Sequence, residues 1–93
     1  MRKTKLKQIK DFLIRKDAVR IVLFGSYVRG EAKKGSDIDL IVKFSKRKSL
    51  LEVVRIEREL SETIGIKVDL LTRKAISPYL IDRIESQARV IYG

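Results

Sequence analysis

The chain has 93 residues, with 22 Lys and Arg against 12 Asp and Glu and a formal charge of +10, and it contains no cysteine or histidine. That length predicts one small domain over residues 1–93, with a thin core whose apolar surface a partner can complete. The absent residue types exclude disulfides, thiolate metal sites, imidazole zinc sites and histidine acid–base chemistry, leaving carboxylate, lysine, tyrosine or water as proton acceptors.

The basic start Met1-Arg2-Lys3 leads into no continuous apolar h-region, and no apolar run nears the ~18 residues that span a bilayer. The expectation is a cytoplasmic protein with no membrane partner. The basic excess falls mainly in residues 1–20, with eight Lys and Arg against Asp11 and Asp17, and in the acid-free stretch Lys43, Lys46, Arg47, Lys48. Two readings stay open: attraction to a polyanion such as nucleotide, RNA or an acidic protein, or the solvated surface of a heat-adapted protein. No interleaved aromatic platform accompanies the charge, which disfavours nucleic acid as the partner without removing it.

Residues 3–16 place Leu6, Ile9 and Leu13 on one helical face among lysines. Residues 19–24 form a short β-branched strand that stops at Gly25. Ser26 is the expected N-cap of a short helix running to about Ala32. A turn at Gly35-Ser36 leads to a second strand over 37–44. Its alternation puts Asp37, Asp39, Ile41 and Lys43 on one face and Ile38, Leu40, Val42 and Phe44 on the other. Ser49-Leu50-Leu51-Glu52 is a capping box, opening a helix with Leu50, Val53, Ile56, Leu60 and Ile64 inward and Gly65 as its stop. A third strand is expected over 66–72. Ser77-Pro78 then starts a last helix with Leu80, Ile84, Ala88 and Ile91 inward. The fold class is therefore α/β (α+β): a three-stranded, mostly mixed β-sheet flanked by about four helices.

The chemistry concentrates in Gly25-Ser26, in Asp37 and Asp39 ten residues further on, and in Asp69 on the third strand. Two residues apart on a strand, Asp37 and Asp39 leave the same face with Cα atoms ~6.5–7 Å apart. Two carboxylates so placed suit one or two Mg²⁺ ions, which take a few carboxylates together with water and phosphate oxygens. Without a cation, crowded carboxylates repel and their pKa values rise. Asp69, mid-strand between Val68 and Leu70, faces the pair if its strand is the neighbour. Its expected role is metal ligand and proton acceptor for an attacking hydroxyl. Gly25 lets a phosphate approach the backbone, Ser26 adds a hydroxyl at a helix start, and Arg29 reaches the same phosphates from one turn on. Lys33 and Lys34 are weaker candidates of the same kind. Together these residues describe in-line attack on the α-phosphate of a nucleoside triphosphate.

Taken singly, each feature has an ordinary structural explanation: a strand-to-helix turn, turn-capping aspartates, a satisfied polar residue at a strand end, surface charge. Their joint occurrence favours chemistry. Other motifs fail: no G-x-x-x-x-G-K-[ST] exists, the glycines do not form G-x-G-x-x-G, and an EF-hand loop from Asp37 would place Ile41 and Val42 where a ligand and a glycine are needed.

The string Gly25-Ser26-x₁₀-Asp37-x-Asp39 with a later Asp69 resembles the signature of the polymerase-β-type nucleotidyltransferase superfamily. The stretch GSYVRGEAKKGSDIDLIV resembles most closely the minimal nucleotidyltransferase (MNT) proteins. The resemblance covers nearly the whole chain and implies a polymerase-β-like core. It implies that Asp37 and Asp39 hold both of two Mg²⁺ ions, that Asp69 completes the catalytic metal site, and that Gly25 and Ser26 bind the triphosphate. Members of this branch are often the antitoxin of a HEPN-domain ribonuclease toxin, silencing it by moving AMP from ATP to a toxin tyrosine. The expected function is therefore protein adenylyltransferase, with ATP and a HEPN toxin as partners. Two alternatives remain: a non-catalytic antitoxin that masks its toxin, and a nucleotidyltransferase for RNA ends or a small molecule.

Overall fold

The computed structural model describes residues 3–33 and 35–93; Met1, Arg2 and Lys34, each named above, lie outside them. The elements run α1 (Lys3–Arg15), β1 (Ala18–Phe24), α2 (Ser26–Arg29), β2 (Ile38–Phe44), α3 (Leu50–Ile64), β3 (Val68–Leu71), a 3₁₀ turn over Arg73–Ala75, α4 (Pro78–Ser86) and β4 (Arg89–Tyr92). The strands form one sheet in the order β3-β2-β1-β4. β1 is antiparallel to β2 and β4, and β2 is parallel to β3, so the sheet is mixed as expected.

Its four strands correct the expectation of three. The helical periodicity read through Ala88 and Ile91 ends at Ser86, and residues 89–92 pair instead with the free edge of β1. An uncovered β1 edge would leave peptide groups unpaired, and this pairing outweighs the weak local signal of a four-residue strand. The inward face of α4 is also rotated: Ile81 is the buried residue, Ile84 is half-buried and Leu80 is exposed.

Strand alternation sorts the sheet into two faces. Ile21 and Leu23 of β1, Ile38, Leu40 and Val42 of β2, and Val68 and Leu70 of β3 point to one side. There they meet Ile9, Phe12 and Leu13 of α1 and Val53, Ile56, Leu60 and Ile64 of α3. The positions between these face the opposite side, and along them the register sets Phe24 beside Asp39 and Asp39 beside Asp69. Burial of the first face thus dictates where the acids emerge, because a slip of one residue would exchange the faces.

The β2–β3 parallel pair needs a crossover, which α3 supplies. α3 starts at the expected capping box: Ser49 Oγ accepts from Glu52 N–H at 3.2 Å, and a Glu52 carboxylate oxygen accepts from Ser49 N–H at 3.2 Å. Gly65, at φ 72°, stops it. Leu50, expected inward, is exposed, and the buried face of α3 begins at Val53. α3 also acts on the sheet's edge. Ser61 Oγ accepts from Val68 N–H at 2.9 Å and a Glu57 carboxylate oxygen accepts from Leu70 N–H at 2.7 Å. These bonds replace the strand that β3 lacks on its outer side and bracket Asp69.

Leu60 is fully buried at the centre of this packing. Leu60→Ala is expected to lower unfolding free energy by about 2–5 kcal/mol. Ser49→Ala should cost only about 1 kcal/mol through the lost cap. Urea unfolding followed by circular dichroism would check both.

Candidate active site

The end of the sheet where β1 stops and β2 begins gathers the expected residues. Phe24 leads into Gly25, whose φ of 79° and ψ of −153° are open only to glycine. The reason is visible beside it: a Cβ at position 25 would lie 2.1 Å from Asp39 Oδ2. Gly25 is therefore required both by its backbone and by the carboxylate pressed against it.

Gly25, not Ser26, is the N-cap of α2, and Ser26 is the first helical residue; Gly25 has no side chain with which to cap. The helix closes after one turn at Gly30, at φ 72°, short of the expected Ala32. With four residues, α2 has little macrodipole to offer an anion. What remains for a phosphate here is the bare backbone at Gly25 and the half-buried Ser26. The Tyr27 hydroxyl donates to the Ser36 carbonyl at 3.4 Å, tying α2 to the loop that delivers Asp37.

Asp39 and Asp69 are register partners across the parallel β2–β3 pair, so their side chains emerge next to one another. Asp37 precedes β2 by one residue and shares the Asp39 face. All three are half-buried. Burial first, then the negative charges of Asp69 and Asp37 and a hydrogen bond with Asp69, push the Asp39 carboxyl above its ordinary pKa of 3.8, while Arg29 pulls the other way. Asp37 leans outward: its Oδ2 lies 3.6 Å from Lys67 Nζ. Accordingly, no three acidic side chains among the described residues stand close enough to share one ion.

The donor set nonetheless suits a hard cation. Carboxylate oxygens are the ligands Mg²⁺ favours, and the penalty on charging Asp39 is one that a bound cation would remove. Arg29 is exposed, with Nε 3.3 Å from a Glu31 carboxylate oxygen. The described Lys33 contributes its backbone N–H to Ser36 Oγ at 2.8 Å, which shapes the turn before Asp37. Next to Gly25 a cavity of about 150 Å³ opens, lined by Phe24, Gly25, Arg29, Arg83, Ile84 and Gln87. Arg83 and Gln87 are absent from the sequence expectations, which name Ile84 only as a core residue. Their α4 face had been read as Leu80, Ile84, Ala88 and Ile91, and nothing local marks an exposed arginine as facing a site.

A mixed sheet with a Gly-Ser turn closing β1 and aspartates on the next two strands defines the nucleotidyltransferase class of architecture. The chain belongs to the nucleotidyltransferase domain family, whose profile matches residues 6–91. A Methanocaldococcus jannaschii relative, provisionally named a protein adenylyltransferase, is 45% identical over 82 residues, covering 88% of each chain. Among solved structures, a toxin–antitoxin crystal structure with AMP-PNP superposes with a TM-score of 0.86 at 24% identity, covering 95% of this chain and 73% of the other. The complex of a tri-AMPylated Shewanella oneidensis HEPN toxin with its MNT antitoxin gives a TM-score of 0.81 at 22% identity, covering 100% and 73%. At these identities the structures speak to the shared fold.

Two expectations follow from the geometry. Because folding raises the Asp39 pKa, the folded state holds that proton more tightly than the unfolded chain. Stability is therefore lost as pH rises from about 3.8 through the raised value. Asp39→Asn should unfold at a higher temperature than the wild type at neutral pH in EDTA, with the gap closing in acid; thermal unfolding at a series of pH values would read this. Gly25→Ala should destabilise the fold by about 1–3 kcal/mol through its backbone conformation, and chemical denaturation would measure it.

Proposed function

We propose that this chain is a Mg²⁺-dependent protein adenylyltransferase that moves AMP from ATP to a tyrosine of a HEPN-type toxin and thereby acts as its antitoxin. The observation that carries the reading is the juxtaposition of Asp39 and Asp69 across β2–β3, with Gly25 packed against Asp39. The name of the M. jannaschii relative and the AMPylated toxin in the Shewanella complex support the choice of reaction and acceptor.

Asp39 and Asp69 as they stand, and Asp37 once its side chain turns from Lys67, would hold Mg²⁺, which supplies Lewis-acid stabilisation of charge on the triphosphate and on the leaving pyrophosphate. The remaining work falls to the chain itself. Gly25 leaves backbone N–H groups open to a phosphate, and the Ser26 hydroxyl donates a hydrogen bond to it. Arg29, which lines the cavity next to Gly25, adds a cation on the side of the acids. Asp69 accepts the proton of the acceptor hydroxyl at a carboxylate oxygen as that hydroxyl attacks the α-phosphorus, and the bond to the pyrophosphate oxygen breaks in line. No helix of the described residues is long and apolar enough to cross a membrane.

Incubation of the protein with ATP, Mg²⁺ and its HEPN-type partner, followed by mass spectrometry, should reveal AMP on a partner tyrosine. Asp37→Ala combined with Asp39→Ala should abolish the adduct. Double mutants that still protect cells from the toxin at normal dose would instead favour masking. Ser26→Ala should weaken ATP binding by roughly tenfold, in line with one lost hydrogen bond to a charged group, with little change in melting temperature. A large fall in melting temperature with activity kept would make Ser26 a structural residue.

A further inference from the structure

We infer that the groove between α1 and β4 is a docking site for an extended, acidic segment of a partner protein, which pairs its backbone with the outer edge of β4 and sets its carboxylates against the lysines of α1. The groove shares no residue with the acids or the Gly-Ser turn, and binding there calls for neither ATP nor metal, so the site stands apart from the nucleotidyltransferase reading.

Lys3, Leu6, Lys7, Lys10 and Asp11 recur at the three- and four-residue spacing of one helical face, and that face of α1 forms one wall of the groove. Arg89, Val90 and Ile91 of β4 form the other, around a volume of about 380 Å³. Leu6 and Ile91 rest on the hydrophobic core, so the floor is apolar. Four cations line the groove against one acid, and among the described residues none of the five takes part in an ion pair. Like charges gathered along one groove raise its potential and draw anions to it. The backbone beside them is open as well. β4 is an outer strand, and among the described residues no strand lies beyond it and no turn or loop backbone bonds to it. The opposite edge differs, since Ser61 and Glu57 close β3. An open edge strand is a template on which another chain can add itself. A second copy of this chain meets repulsion there, because its own charge is +10. Single-stranded nucleic acid stacks its bases on aromatic faces, and no aromatic side chain lines the groove. An acidic extended segment answers charge and backbone together. From Lys3 to Asp11 the helix rises about 12 Å, the length of about four extended residues, which matches the four residues of β4. Side chains of an added strand alternate between the two faces of the sheet, so acids at every second position all turn toward α1.

The test uses the full chain without ATP or Mg²⁺, in about 0.1 M salt, where charges more than about 10 Å apart are screened. Fluorescence anisotropy follows a labelled peptide of alternating Glu and Val. The same peptide N-methylated throughout keeps the charges and loses every backbone donor. A short oligouridylate serves as the nucleic-acid competitor. Lys3→Glu with Lys7→Glu reverses the charge of the α1 wall at two exposed positions, and glutamate keeps the helix. Arg55→Glu with Arg58→Glu makes the same change on the exposed face of α3. The wild type should bind the alternating peptide saturably, the α1 variant about tenfold more weakly and the α3 variant within about twofold. The N-methylated peptide should lose about tenfold on the wild type. No saturable binding by the wild type at about 1 mM peptide would overturn the inference. Equal losses in the α1 and α3 variants would do the same, since general charge would then explain the binding. An N-methylated peptide that binds as tightly as its parent would leave attraction without an added strand, and that also overturns it. Displacement of the peptide by oligouridylate at lower concentration than by unlabelled peptide would assign the groove to nucleic acid instead. Because binding alone is read, failure here leaves the nucleotidyltransferase reading untouched, and failure of AMP transfer leaves this site untouched.

Discussion

Two aspartates held side by side by a parallel strand pair are the constraint around which the rest of the structure is arranged. The β2–β3 register puts Asp39 against Asp69, and Asp37 adds a third negative charge nearby. Half-burying a carboxylate beside two others works against folding, and the Asp39 carboxyl is raised above its ordinary pKa by that burial first and by its charged neighbours second. The fold tolerates it because the opposite face of the same strands carries Ile38, Leu40, Val68 and Leu70, all buried against α1 and α3. The apolar face fixes the register, and the register forces the acids together. A divalent cation would turn the same arrangement from a cost into a binding site.

The electrostatics of the molecule divide by region. The basic excess lies mainly in residues 1–20 and 43–48, whereas Asp37, Asp39 and Asp69 form a small acidic island with cations at its border. Arg29 lies on one side of that island and Lys67 on another, the latter drawing Asp37 outward. An acidic island bordered by Arg29 and Lys67 suits a ligand that presents a cation to the acids and negative charge beside them, so recognition there would rest on the order of charges rather than on their sum.

Much of this was legible in the sequence, and the reasons differ by element. The core strands and α3 announced themselves through β-branched runs, a capping box and a stopping glycine, all local signals that burial then reinforced. Asp37, Asp39 and Asp69 stood out because acids inside apolar strands have few structural excuses. The α2 boundary was misread because serine is the better cap on average, whereas here contact with Asp39 decides the matter in favour of glycine. β4 and the α4 face were missed for a deeper reason. Both are set by what they pack against, and four residues of mixed polarity carry no preference strong enough to reveal a partner over sixty positions away in the chain.

The two hydrogen bonds from α3 to β3 have a consequence for the molecule among its neighbours. An outer strand with open peptide groups is a template on which another chain can add itself, and such strands seed aggregation. Ser61 and Glu57 occupy the N–H groups of Val68 and Leu70, so the edge bearing Asp69 is closed to a recruiting strand. Along this edge the end of the sheet that carries the acids thus presents side chains and not open backbone N–H groups. It can be approached without being extended.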